Sequence, residues 1–153
     1  MDFQLSSSIV IFHYTASAQF YLLHMKYIKP KDVKSPRSYV KTIKPLYDGG
    51  CEGFSIAILE NINGDYHVGM RWNISENEWE DQRKSDEEKY CLGMPQSRGY
   101  SVWFILPKSS WKYVPQMIKD EIDGNNSPNQ IYISESQIQE EINKLINSTI
   151  CNE

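Results

Sequence analysis

The sequence predicts an α+β domain: a small, mainly antiparallel sheet with C-terminal helices packed on one face. Three observations carry this. Residues 54–73 alternate apolar and polar side chains around an Asn63-Gly64 turn, the pattern of a β-hairpin. Residues 100–106 are uncharged and carry apolar side chains on both faces of a strand, which predicts a covered, central position. Near the C-terminus, Ile138, Ile142, Leu145 and Ile146 fall at i, i+4, i+7 and i+8, one stripe of a helix.

Length and composition agree with a single domain. The chain has 153 residues, enough to bury about two thirds of its unfolded surface in one core. Ten Tyr, five Phe and four Trp argue against disorder. A formal net charge of -4 does not suit a dedicated nucleic-acid coat. Cys51, Cys91 and Cys151 are too few and too scattered for a disulfide framework or a zinc site, and an odd count suits a reducing compartment. No apolar run reaches the ~20 residues of a membrane span. The expectation is a cytoplasmic protein with no membrane partner, no metal and no cofactor.

Residues 1–24 differ from the rest. Ile9 to Phe12 and Phe20 to Leu23 are apolar, and Ala16-Ser17-Ala18 resembles a cleavage site, but the positive region of a secretory signal is missing. A signal, an extension with a true start near Met25, or a docked N-terminal element all stay open. The expected domain is 25–153.

Met25 to Pro45 is basic: Lys26, Lys29, Lys31, Lys34, Arg37, Lys41 and Lys44 face one acid, Asp32. Pro30, Pro36 and Pro45 divide it into short extended pieces. It reads as a solvated strap over the sheet, or as a tracker of phosphates. Leu46 to Gly50 reads as a turn, because Asp-Gly-Gly supplies positive φ. Phe54 to Leu59 is the first hairpin strand and Tyr66 to Asn73 the second. On the second, Tyr66, Val68, Met70 and Trp72 share one face, and His67, Gly69, Arg71 and Asn73 the other.

Ile74 to Lys89 is acidic, with Trp79 its one strong apolar anchor, and predicts a solvated loop. Within it, Ser75 and Glu78 have capping-box spacing. Gly93, Pro95 and Gly99 constrain the next loop. Pro107 ends the 100–106 strand, and a helix is expected over 108–122 with a restart near Pro115. Residues 123–129 are a linker by composition. Ile131 to Ile133 suit a short edge strand. Ser134 with Gln137 caps the last helix, expected over 134–147.

No motif dictates a chemistry. There is no Gly-rich phosphate loop, nucleophile elbow or His-Glu-x-x-His. A thiol–imidazole pair would need Cys91 and His67 to meet, and nothing in the sequence joins them. The expected set of catalytic residues is empty. The binding reading has more material: Arg71 and Asn73 on one strand face, and Gln96, Ser97 and Arg98 in a constrained loop. If the strands are neighbours, these groups meet at one rim, where guanidinium and amide groups suit a carboxylate, a phosphate or an acidic protein surface. Trp103 would support that rim or pack in the core.

Leu46-Tyr47-Asp48-Gly49-Gly50, Phe54-Ser55-Ile56-Ala57, Met70-Arg71-Trp72-Asn73, Pro95-Gln96-Ser97-Arg98-Gly99-Tyr100 and Trp103-Phe104-Ile105-Leu106-Pro107 together resemble a type of short bacterial protein of unknown function associated with mobile elements. The resemblance covers about residues 25–110 and implies a start near Met25, but no activity. The acidic 74–89 stretch looks like an insertion relative to it, and the C-terminal helix lies outside it. The functional expectation is a non-enzymatic protein-interaction domain, in its narrower form an immunity or regulatory factor of a mobile element. A nucleic-acid-binding protein using the 26–44 strap with Arg71 and Arg98 is the first alternative. An enzyme using Cys91 and His67 is the second.

Overall fold

The predicted hairpin forms and lies at the middle of the molecule. In the structure, a computed structural model that describes residues 25–85, 89–124 and 130–150, β2 (Phe54–Asn61) and β3 (Tyr66–Trp72) pair antiparallel from Phe54↔Trp72 to Glu60↔Tyr66. The expectations for residues 1–24 and for most of the 123–129 linker lie outside the described residues. Asn61 closes the turn: its side-chain oxygen accepts the N–H groups of Asn63 and Asp65, and Gly64 has φ 86°.

On the other side of β2 runs β1 (Val40–Asp48), antiparallel to it. The sequence suggested a strap broken at Pro45 and a turn from Leu46. Instead Pro45 sits inside the strand opposite Ala57, next to a register shift, where a proline without an N–H is tolerated. Leu46, Tyr47 and Asp48 complete the strand fully buried, and the turn begins only at the glycines. The chain ahead of β1 is the strap, with a 3-10 turn at Pro30–Asp32 and Val33 buried beneath it.

The 100–106 stretch departs from expectation. It is not one central strand. Two-residue strands β4 (Gln96–Ser97) and β5 (Tyr100–Ser101) form a separate hairpin, and β6 (Phe104–Ile105) pairs with Met70 and Gly69 at the edge of the main sheet. Its apolar side chains divide between two environments. Trp103 turns inward, its indole N–H donating to the Val33 carbonyl at 2.9 Å, while Phe104 stays outside. The strand covered on both faces is β2, where Ser55 and Ala57 are as buried as Phe54, Ile56 and Ile58. With β7 (Gln130–Ile131) on β1, an edge strand that begins one residue before the expected 131–133 and ends at Ile131, the sheet order is β6-β3-β2-β1-β7.

Helices cover one face. Short α1 (Glu76–Trp79) and α2 (Gln82–Ser85) follow β3. A 3-10 turn, Lys108–Tyr113, leads into α3 (Val114–Gly124), and α4 (Glu135–Ile150) ends the described chain. Trp111, Val114, Ile118, Ile138 and Ile142 pack on Leu46, Tyr47, Phe54, Ile56, Ile58 and Val68 in the main core. Both predicted capping boxes form: Ser75 with Glu78, and Ser134 with Gln137. The opposite face holds a smaller cluster of Val33, Ala57, Leu59 and Trp103. Gly69 leaves room for the Trp103 ring, which a Cβ there would meet at 3.1 Å.

Candidate functional site

At the end of that second face the core becomes polar. Cross-strand register places Asp48 beside Ser55 and Ser55 beside Arg71, a row across β1, β2 and β3. All three are buried, as is Asn73 just beyond β3. Asp48 accepts from both sides. The Tyr27 hydroxyl lies 2.8 and 2.9 Å from its two oxygens, the Asn73 amide donates at 2.9 Å, and the Gly50 N–H at 3.1 Å. The Ser55 hydroxyl donates to Asn73 Oδ1 at 2.6 Å. Burial, then the Asp48 carboxylate, pushes the Tyr27 phenol well up, so it stays a donor. Lys29, half exposed, reaches Tyr27 Oη at 2.6 Å and Asp48 at 3.5 Å.

Arg71 continues this network towards the loop after α2. Its Nη2 donates to the Leu92 carbonyl and, at 3.5 Å, to that of Trp72. Its Nε and Nη1 groups meet no acceptor among the described residues. Burial lowers the guanidinium to about 10, while Glu78, Asp48 and Tyr27 act to raise it, so it keeps its proton at neutral pH.

Glu78 faces the same loop. Its Oε1 accepts the Leu92 N–H at 2.6 Å, and its Oε2 accepts the Gly93 N–H at 2.9 Å and the Ser75 N–H at 3.0 Å. Lys84 approaches Oε1 at 3.5 Å. Burial pushes this carboxyl up, but the N–H groups of Ser75, Leu92 and Gly93 outweigh it and hold Glu78 below the usual carboxylate range. The Ser101 hydroxyl adds a second donor to the Leu92 carbonyl, at 2.6 Å. Met94 and Trp72 exchange backbone bonds of 2.8 and 3.0 Å. Gly93, at φ 68°, lies so close that a Cβ would run into Arg71 Nη2 and the carbonyls of Trp72 and Asn73.

What this brace supports is the β4–β5 hairpin. Its turn residues, Arg98 at φ 50° and Gly99 at φ 77°, are both left-handed, the two-residue geometry that matches strand twist. Arginine is an unusual choice at the first position, where Asn, Asp or Gly avoids the steric cost. From Gln96 to Tyr100 every residue is exposed. Among the described residues Arg98 has no hydrogen-bond or ion-pair partner.

The residues singled out in sequence therefore divide into two groups. Gln96, Ser97 and Arg98 form the exposed tip. Arg71 and Asn73 lie in the core beneath its base, and Trp103 is a core side chain. The two arginines do not share an open rim, because the face carrying Arg71 is covered by the 91–93 loop and the strap. Cys91 and His67 stand at opposite ends of β3. Cys91 packs with Met25, Tyr27 and Ile74, its thiol pushed up to about 12 by burial and then by Glu78, while a His67 ring nitrogen lies 3.3 Å from the Tyr39 hydroxyl. Glu78 was read in sequence only as a helix cap. Its hold on Leu92 and Gly93 spans separations of 14 and 15 residues that no local pattern encodes.

No protein-family model, curated protein or solved structure matches the chain. Among the described residues no group of His, Cys, Asp and Glu side chains is arranged to hold a metal, and no helix is long and apolar enough to cross a membrane.

Proposed function

We propose that this chain is a protein-interaction domain that engages its partner through the Gln96–Tyr100 hairpin tip. One observation carries the reading: the base of the hairpin is fixed by two buried ionised side chains, while the tip is exposed and holds a non-glycine residue at positive φ. A backbone conformation kept against its steric cost is a mark of a functional segment. Fixing the base in advance removes the ordering cost that a floppy loop would incur on binding. Arg98 and Tyr100 at the tip belong to the residue types that dominate binding hot spots.

The narrower form is an immunity or regulatory factor of a bacterial mobile element acting in the cytoplasm; the resemblance over residues 25–110 supports only its mobile-element association, and the absence of a catalytic set supports its non-enzymatic role. The nucleic-acid alternative has less support. Of the strap lysines, Lys29 is engaged with Tyr27 and Asp48, Lys41 with Glu60 at 2.6 Å, and Lys44 with Glu141 at 2.8 Å. The enzymatic alternative lacks its Cys91–His67 pair.

The test is capture from a native bacterial lysate with the full chain as bait, beside a variant carrying Arg98→Glu and Tyr100→Ser. The expected result is a protein retained by the wild type and lost by the variant, with equal melting temperatures. No retained protein, or the same set on both baits, overturns the reading.

A further inference from the structure

The two edges of the main sheet are built differently. On the β1 side, β7 covers only Tyr47 and Asp48, and the remaining edge carries Lys41, Lys44 and Pro45. Lysines and a proline are the usual guards against strand addition. On the β6 side the guards are a strand only two residues long and the Pro107 that follows it, with no lysine: from Tyr100 to Pro107 the chain has no charged residue. Phe104 and Ile105 are 58% and 38% exposed on the edge strand itself. Beside them stand Met94 at 51% and Trp72 at 45%, joined by the Trp72–Met94 bridge.

We propose that this edge is the interface of a two-fold homodimer, with β6 of one copy alongside β6 of the other. Three arguments select a second copy as the occupant. An edge strand apposed to itself across a two-fold axis is antiparallel and self-complementary, so one surface supplies both halves. The stretch offers a charged partner nothing to pair with, whereas an identical uncharged edge matches it. At -4 per chain, two copies approach most cheaply through such an uncharged face. The area suits a weak, concentration-dependent dimer. Side chains of this size that are about half exposed leave on the order of 100 Å² each, so the four offer about 400 Å² per copy. Two copies then bury about 800 Å², the range of weak and transient association. Met94 adds a thioether suited to contacts with Phe104 and Trp72 across the axis. The dimer stands independently of the partner reading, and it would present two hairpin tips on one particle.

Sedimentation equilibrium of the full chain over a range of concentrations tests this. The wild type should reach twice the 17.9 kDa mass of one chain. Phe104→Lys installs the charge that this edge lacks and should weaken association about thirtyfold or more, with an unchanged far-UV circular dichroism spectrum. Met94→Lys lies outside the β6 ladder and should weaken it too, which keeps the test open if the first variant misfolds. Arg98→Glu should leave the dimer intact, separating this result from the hairpin reading. A wild type that stays monomeric at high micromolar concentration overturns the proposal. So does a dimer that both lysine variants leave unchanged, or a monomer whose captured protein is lost with Phe104→Lys, since the edge would then serve a different chain.

Discussion

Arg71 and Glu78 hold opposite ends of one peptide unit. The Leu92–Gly93 peptide gives its carbonyl to Arg71 Nη2 and its N–H to Glu78 Oε2 at 2.9 Å. Both side chains are ionised, and both are buried, at 1% and 7% exposure. Removing Glu78 strands the N–H groups of Leu92 and Gly93 and leaves Arg71 with less compensation. Breaking a buried charge arrangement from one side costs about 3–5 kcal/mol. Glu78→Ala should fall in that range by urea denaturation, and Glu78→Gln, which keeps one acceptor oxygen, at about half of it. A loss below about 0.5 kcal/mol, the level of a surface site, would show that the carboxylate does not hold the loop.

Acid should act through the same carboxyl. Glu78 is held below its ordinary value of 4.5 in the folded state, so the unfolded chain takes up its proton first as pH falls. Its contribution is therefore complete above about pH 4.5 and is lost as pH drops through the lowered folded value. Denaturation midpoints followed from pH 7 to pH 3 should decline below pH 4.5 in the wild type. The decline should be shallower in Glu78→Gln, and parallel curves would exclude Glu78 as the cause.

The alkaline side has a different origin. Burial, then Glu78, pushes the Cys91 thiol from 9.0 up to about 12. Above pH 9 the unfolded thiol ionises while the folded one does not. A raised value contributes stability that is present below pH 9 and lost as pH rises towards 12. Cys91→Ala removes this titration and should flatten stability curves measured from pH 8 to pH 11. Tyr27, also raised, should maintain part of the slope in that variant.

Two glycines separate close packing from turn geometry. Gly93 and Gly99 share a left-handed φ, 68° and 77°. A Cβ at Gly93 meets the Arg71 guanidinium and two backbone carbonyls, whereas at Gly99 nothing lies within 4 Å. Gly99→Ala should cost only its backbone term, about 1 kcal/mol. Gly93→Ala adds a collision with backbone that cannot yield, and should leave little folded protein at 37 °C. Equal losses in thermal melts would mean that the loop does not sit on Arg71 as described.

These contrasts also mark where sequence reading succeeds. The 54–73 hairpin, both capping boxes and the Ile138–Ile142 stripe are local patterns, set by residues two to eight positions apart, and they are legible. The role of 100–106 is not. Two-sided apolarity reports that side chains are apolar, and not which contact: Trp103 reaches Val33, 70 positions away, while Phe104 stays outside. The reverse error occurs at Arg71. A charged residue on a strand reads as exposed, and only the fold reveals that Arg71 lies buried beside the polar row of Asp48, Ser55 and Asn73, bonded to the Leu92 carbonyl. The Gln96–Arg98 loop was visible because its glycines and proline constrain it locally. Its brace was not, because Glu78 and Leu92 are far apart in the chain.

Arg98 offers the sharpest separation of stability from function. An Asn-Gly pair is a preferred occupant of this left-handed turn, and arginine is not. Arg98→Asn should therefore stabilise the domain by about 0.5–1 kcal/mol, a gain measurable as a rise in melting temperature. The same change removes the guanidinium from the exposed tip. If the tip is the contact surface, the more stable variant should lose the protein that the wild type captures, and Arg98→Lys, which keeps the charge without the planar fork, should recover only part of it. A stabilised variant that captures its partner normally would mean that the strained arginine serves something other than recognition.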